Sequence, residues 1–240
     1  MKNNQWLETI KKYPTQYLNR DLVLTLKMQQ AIYSKYSSKI FYKTSKRVFD
    51  FSLSCVLLIA SLPLFIVIAF LIKAGSRGPV FFRQKRVGKN FSIFCIYKFR
   101  TMQQESETVL PENVLPLEKL KNDLRTTKVG FFLRKWKLDE LPQLINVVRG
   151  EMSLVGPRPL TLDDSVFCHA KYYFKFANKP GMTGLWQAFR ENSIHFKLKF
   201  KLDAYYVKNA SLLLDLKILF YTFFRVIGGE KILSRENKDC

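Results

Sequence analysis

Two adjacent carboxylates, Asp139 and Glu140, stand near the start of the run KLDELPQLINVVRGEMSLVGPRP, which occupies residues 137–159. The run closes on a turn that holds one arginine, Arg158, between Pro157 and Pro159. Arg134, Lys135 and Lys137 lie just upstream. Carboxylates among cations suited to phosphate suggest chemistry on a phosphate ester, with a divalent ion between the charges. Aspartate is also a known covalent nucleophile in phosphoryl transfer. The plainer reading of an Asp-Glu pair is a helix cap favoured by the helix dipole. Both readings use the same place, because a helix N-terminus holds anions in its own right.

Three further groups carry charge or ring surface toward such a site. Lys98 and Arg100, in YKFRTM, fall on one face of a predicted strand and could address one phosphate; the alternative is two solvated charges on an edge. Arg158 is a planar fork on a rigid turn, suited to phosphate or, structurally, to a carboxylate such as Glu151. The stretch KPGMTGLWQ, residues 179–187, offers close backbone approach at Gly181 and Gly184, with Trp186 and Gln187 able to hold a ring and its hydroxyls. Spacing alone favours a tight loop with a core tryptophan there.

The elements that must position these groups are partly membranous. Residues 51–72 contain no charge and are long enough for a bilayer helix. The segment is too far along the chain, and too poor in small residues at its end, for a cleavable signal peptide. Both flanks are basic: Lys46 and Arg47 before, Lys73, Arg77, Arg83, Lys85 and Arg86 after. A spanning helix wants one basic side. Pro63 near the middle removes a helix hydrogen bond and permits a bend. A helix broken at Pro63 that enters and leaves by one face meets both observations; a single-pass anchor is the alternative. Asp50 is placed to cap the entry or to pair with Arg47.

The expected organisation has three parts. Residues 1–45 form a basic membrane-surface segment, 46–76 the re-entrant helix, and 77–240 a catalytic domain ending in an interfacial helix over 211–227. Within that domain, 77–102 reads as two short strands joined by a turn at Gly88-Lys89-Asn90, and 103–124 as a polar surface loop. Leu138, Leu141, Leu144, Ile145 and Val148 share one helical face, with Asp139 as N-cap, Pro142 in the first turn and Gly150 as the stop. Residues 196–202 alternate like a strand but run into a helical sequence. The fold class is therefore mostly α with a small β-hairpin.

Composition narrows the partners. Forty basic against 19 acidic side chains give a formal net charge of +21, which fits an anionic membrane surface, anionic substrates or nucleic acid. No recognition helix or RNA-binding platform is evident, which argues against nucleic acid, and the intact Asp139, Glu140 and Arg158 argue against a catalytically silent membrane scaffold; these two stand as the alternatives. Four scattered cysteines without a CxxC pair fit reduced thiols and no structural zinc. Two histidines, His169 and His195, leave little room for a His-rich metal site.

Taken in order, KRVFD, Pro63 in the apolar segment, GPVFFRQKRVGKN, YKFRTM, LDELPQLINVVRGEMSLVGPRP, KPGMTGLWQ and YYVKNASLLLDLKI resemble the bacterial sugar transferase family, the monotopic polyprenyl-phosphate glycosyl-1-phosphate transferases. The resemblance runs over residues 46–229. It implies a mostly helical, monotopic enzyme at the bacterial inner membrane, facing the cytoplasm, of the short form without a larger preceding membrane domain. It implies transfer of a sugar-1-phosphate from a nucleotide sugar, a UDP-hexose by family habit, to polyprenyl phosphate. Asp139 would be the nucleophile and Glu140 the Mg²⁺ ligand. Lys98, Arg100, Arg134 and Arg158 would neutralise phosphate, and Thr183, Trp186, Gln187 and Arg190 would meet the sugar or nucleotide. Anionic inner-membrane lipids are further implied partners, and the oligomeric state, a homo-oligomer included, is left open. Two departures stand out. Leu62 replaces the serine usual before the breaking proline, with Ser61 one residue earlier, and Phe189-Arg190 replaces Gly-Arg after the Trp-Gln stretch.

Overall fold

A computed structural model describes residues 40–103, 125–166, 170–188 and 196–228. Residues 1–39, the body of the polar 103–124 loop, His169, Arg190 and His195 lie outside the described residues.

Helix α1, Ile40–Gly75, contains the whole uncharged segment. It continues through Pro63, so the expected break is not seen as an interruption of the helix. One proline removes one backbone bond while the flanking turns keep theirs. Ser61 Oγ donates to the carbonyl of Leu58 at 3.0 Å, one residue short of the Ile59 carbonyl that Pro63 frees. The middle of α1 shows apolar side chains to the outside, among them Val56, Ile59, Leu62, Ile66 and Val67.

Both ends of α1 are rooted in the same body. Near its start, Leu53 and Leu58 pack on the main core, built from residues such as Leu144, Val147, Met152, Leu154 and Tyr206. Near its end, Ile68 and Ile72 form a second cluster with Phe99 and Leu133. Asp50 does not cap the helix or pair with Arg47, because the helix begins ten residues earlier than expected. It accepts instead from Ser153 Oγ at 2.7 Å and lies 3.5 Å from Lys46 Nζ. Arg47 donates to the carbonyls of Val147 and Val148 at 2.7 and 2.8 Å.

Strands β1, Phe81–Val87, and β2, Ile93–Phe99, form the expected antiparallel hairpin. A short 3₁₀ turn, Lys89–Phe91, joins them, with Asn90 in the left-handed region. Helix α2 is Lys128–Lys135; Thr127 caps it by accepting from the Gly130 N–H. Helix α3, Gln143–Arg149, stops at Gly150, whose φ of 81° suits glycine. Strand β3, Ser153–Val155, pairs in parallel with β5, Gly181–Thr183. Between them, β4, Leu160–Thr161, adds to the free edge of β1, giving the order β2-β1-β4. Helix α4, Leu162–Val166, follows, then a 3₁₀ segment, Ala170–Ala177. Helix α5 is Leu185–Ala188, α6 is Phe196–Asn209 and α7 is Leu212–Gly228.

The ambiguous 196–202 stretch is thus helical, with Phe200, Asp203, Tyr206 and Val207 on its buried side. The expected 211–227 helix is present as α7. It buries Asp215 and Ile218 and exposes Leu213, Leu216, Phe220, Phe223, Phe224 and Ile227.

Candidate active site

The two carboxylates occupy a 3₁₀ turn, Leu138–Glu140, rather than the first turn of an α-helix. Lys137, in the left-handed conformation, reverses the chain out of α2, and α3 begins only after Pro142. Asp139 is therefore not the helix cap that the sequence pattern suggested. A proline has no N–H and restricts the residue before it, so the chain tightens there and the α-helix starts later. Leu138 and Leu141, on either side of the pair, pack on the cluster of Ile68, Ile72, Phe99 and Leu133. The turn is thereby rooted against the last turns of the apolar helix.

The pair divides its environments. Asp139 is 9% exposed, and its buried Oδ1 has no hydrogen-bond partner. Burial, then the neighbouring Glu140, push its carboxyl above the usual range, against the pull of Lys98, Lys137 and Arg134. For Glu140, burial acts in the same upward sense. Lys98, Arg158 and Lys137 outweigh it, and the carboxyl lies below its ordinary value. Lys98 Nζ is 2.8 Å from Glu140 Oε1. One carboxylate is fixed as an anion and the other keeps an uncommitted oxygen.

The predicted cations separate on inspection. Lys98 reaches the pair from β2, and Arg134 lies close enough to act on Asp139. Arg134 is oriented by Thr101 Oγ1, 2.9 Å from its Nε, and by Thr126 Oγ1 at 3.1 Å. Arg158 is exposed and acts on Glu140. Its guanidinium lies 5.7 Å from the Trp186 ring centre, not against Glu151. Arg100 is not brought to the carboxylates. The β2 strand ends at Phe99, and the Arg100 guanidinium turns to the foot of α1. There it donates to the carbonyls of Arg77 and Ser76 and to Ser76 Oγ.

The late loop is partly structural. Thr183 Oγ1 lies 2.8 Å from Thr222 Oγ1, tying β5 to α7. Trp186 is buried between Arg158 and Lys199, whose Nζ is 5.1 Å from the ring centre. Gln187 donates to the Met182 carbonyl at 3.3 Å, and its Oε1 is buried without a partner. Gly156 and Gly181 meet so closely that a Cβ on Gly181 would overlap the Gly156 backbone. That contact sets Pro157-Arg158-Pro159 beside a small pocket lined by Gly88, Lys175 and Asn178.

A family model described as bacterial sugar transferase matches residues 41–229. The chain belongs to the bacterial sugar transferase family. Among its relatives is the exopolysaccharide production protein ExoY of Sinorhizobium fredii, 42% identical over 188 residues, which cover 74% of this chain and 83% of that protein. The undecaprenyl-phosphate galactose phosphotransferase of Salmonella typhimurium is 41% identical over 83% of this chain and 43% of its own length. The UDP-glucose:undecaprenyl-phosphate glucose-1-phosphate transferase of Klebsiella pneumoniae is 38% identical over 75% of this chain and 39% of its own length.

In this sugar transferase, no cluster of three or more His, Cys, Asp or Glu side chains forms a metal cage among the described residues. Mg²⁺ does not require one. It is commonly held by one or two carboxylates together with substrate phosphates. The adjacent Asp139 and Glu140, with the unpartnered Asp139 Oδ1, fit that pattern.

The sequence reading missed Arg86 and Gln84. Cross-strand pairing sets Arg86 opposite Phe94, Gln84 opposite Ile96 and Phe82 opposite Lys98. Arg86 and Gln84 therefore share the sheet face that carries Lys98. Alternation along RQKRV holds the signal, but only once the hairpin register is known.

Proposed function

We propose that this sugar transferase moves a sugar-1-phosphate from a nucleotide diphosphate sugar to polyprenyl phosphate through an aspartyl intermediate. The observation that carries the reading is the division within the 138–140 turn: Glu140 ion-paired to Lys98, and Asp139 buried with an open oxygen. The activities for which the Salmonella and Klebsiella relatives are named fit it, and a uridine diphosphate hexose is the donor it favours.

In the first step the Asp139 carboxylate attacks the sugar-linked phosphorus. A new P–O bond forms, the anhydride P–O bond breaks, and the nucleoside monophosphate leaves with that electron pair. In the second step a phosphate oxygen of the lipid attacks the same phosphorus and restores the Asp139 carboxylate. Lys98, Arg134 and Arg158 stabilise the equatorial and leaving oxygens. Together with the substrate phosphates, Glu140 would hold Mg²⁺, which supplies charge neutralisation there when bound and leaves Asp139 free to approach phosphorus.

The reading includes a monotopic seat in the inner membrane, with the site on the cytoplasmic side. Its support is the rooting of both ends of α1. Asp50 and Ile72 would lie about 33 Å apart on a straight helix, a full hydrocarbon thickness of about 30 Å. A spanning helix puts such positions on opposite sides, whereas here both contact one body. The exposed aromatic side of α7 suits the same surface, with anionic lipids opposite the chain's excess positive charge.

Release of nucleoside monophosphate is the test, assayed with undecaprenyl phosphate, Mg²⁺ and a panel of UDP-sugars. Donor alone should leave a sugar-phosphate mass on Asp139, removable by adding the lipid. Turnover with no adduct, and full activity in Asp139→Asn, would sink the covalent route. Labelling of cysteines placed at Tyr42 and Ser76 should find both on the cytoplasmic side.

A further inference from the structure

Arg86 sits within the fold where a surface strand would not need a guanidinium. It is half-buried on β1, and its Nε is buried without a hydrogen-bond partner. Among the described residues it donates to neutral oxygens, Gln84 Oε1 at 2.6 Å and the Pro159 carbonyl at 3.5 Å. Its neighbour on the other side is another cation. The β1–β4 register sets Arg86 opposite Thr161, so the turn that carries Arg158 is laid along the same strand edge. Burial and then Arg158 work against the charge on Arg86, while Asp164 and Glu140 favour it without forming an ion pair with it among the described residues. Glu140 is engaged elsewhere, by Lys98.

Two guanidiniums drawn together, one with an open buried donor, make an arrangement that an anion completes. The anion must have several oxygens to meet both forks, which is the geometry of a phosphate. Lys98 and Arg86 share one face of the hairpin, with Lys98 opposite Phe82, four residues along β1 from Arg86; β4 brings the Arg158 turn to the Arg86 end, and Glu140 stands against Lys98. A diphosphate whose sugar-linked phosphorus meets Asp139 at the Lys98 end would extend toward Arg86 and Arg158.

We propose that Arg86 is a substrate-binding residue, the second guanidinium of a two-arginine clamp that, with Arg158, grips the diphosphate of the nucleotide donor. This rests on the sugar-phosphate transfer proposed above and adds a contact to it. Gln84 holds the Arg86 fork in plane, and the Pro159 carbonyl sets its distance from the Arg158 turn.

The experiment measures UDP binding by calorimetry on the purified full chain with Mg²⁺, beside steady-state kinetics with a UDP-hexose. Arg86→Gln should weaken UDP affinity and raise donor KM about tenfold or more, the size of a lost charge-assisted bond. The melting temperature without ligand should stay near the parent's. Arg86→Lys keeps charge and stem but loses the fork, and should fall between the two. Parent-like UDP affinity in Arg86→Gln overturns the clamp. So does a large drop in melting temperature with affinity intact, which marks a purely structural arginine. If Arg86→Gln does not fold, Arg86→Lys decides, and parent-like affinity there overturns the clamp as well. Failure of the parent chain to bind UDP or use any nucleotide sugar is a different result, and removes the transfer reading together with the clamp.

Discussion

Two buried aspartates set the candidate active site apart from the root of the apolar helix α1. Asp215, at the start of α7, is 0% exposed and has its oxygens committed. It accepts from Tyr42 OH at 3.1 Å, Lys46 Nζ at 2.9 Å and Tyr206 OH at 2.7 Å. Asp139 is nearly as buried, yet one oxygen has no donor and its carboxyl titrates high. A buried carboxylate surrounded by donors stabilises the charged form and joins elements, here α1, α6 and α7. A buried carboxylate left short of donors is a cost to folding, and beside the Lys98–Glu140 pair it is the condition expected of a reacting group. The same residue type thus serves as a joint in one region and, on the proposed mechanism, as a reagent in the other, and the surrounding donors make the difference.

The largest effect that can break this comparison is on turnover. Asp139→Asn should lower kcat by about 10⁴-fold or more, while thermal melting is unchanged or slightly raised, because an under-solvated charge is removed. A variant that keeps turnover, or unfolds as Asp215 variants are expected to, would erase the distinction. Next comes Asp215→Asn, which takes from half-buried Lys46 its nearer carboxylate, leaving Asp50 at 3.5 Å, and weakens the buried joint to Tyr42 and Tyr206. It should cost about 3–5 kcal/mol, read by chemical denaturation in detergent. Residual folded protein should retain parent-like KM for the donor. A smaller effect sharpens the assignment within the site. Lys98→Met removes the cation that holds Glu140 down, and should cut kcat/KM about 10–100-fold. It should also raise the Mg²⁺ concentration needed for half-maximal rate. An unchanged Mg²⁺ requirement would mean Glu140 does not depend on Lys98.

How much of this was legible in the chain differs by region. The hairpin was readable because alternation over 81–99 and the Gly88-Lys89-Asn90 turn are local signals. The α7 helix was readable for the same reason. Arg100 was misplaced because its partner, the foot of α1 at Ser76 and Arg77, is a tertiary contact with no trace in local spacing. Asp139 was misread as a cap because Pro142 delays the α-helix and Lys137 takes a left-handed turn, a choice the pattern of leucines does not reveal. Arg86 was passed over because its value depends on register with β2 and on the arrival of β4 from more than seventy residues away. The Asp215 joint could not be inferred at all from sequence, since its donors come from residues 42, 46 and 206.

The smallest and most discriminating effect is on pH dependence. In the proposed reaction Asp139 must be ionised to attack phosphorus, and its carboxyl titrates above the ordinary aspartate value of about 3.9. Activity should therefore be lost as pH falls through a point higher than that value, seen as the acid limb of kcat/KM. Stability runs the opposite way. A carboxyl that binds its proton more tightly folded than unfolded makes the folded state more stable as pH falls through the same window. Glu140, held low by Lys98 and Arg158, contributes stability that is present above its unfolded value and lost only at lower pH. Asp139→Asn should remove the inverse trend in stability and leave the Glu140 trend in place. An acid limb at or below the ordinary aspartate value would mean that Asp139 is served by donors after all, and its contrast with Asp215 would disappear.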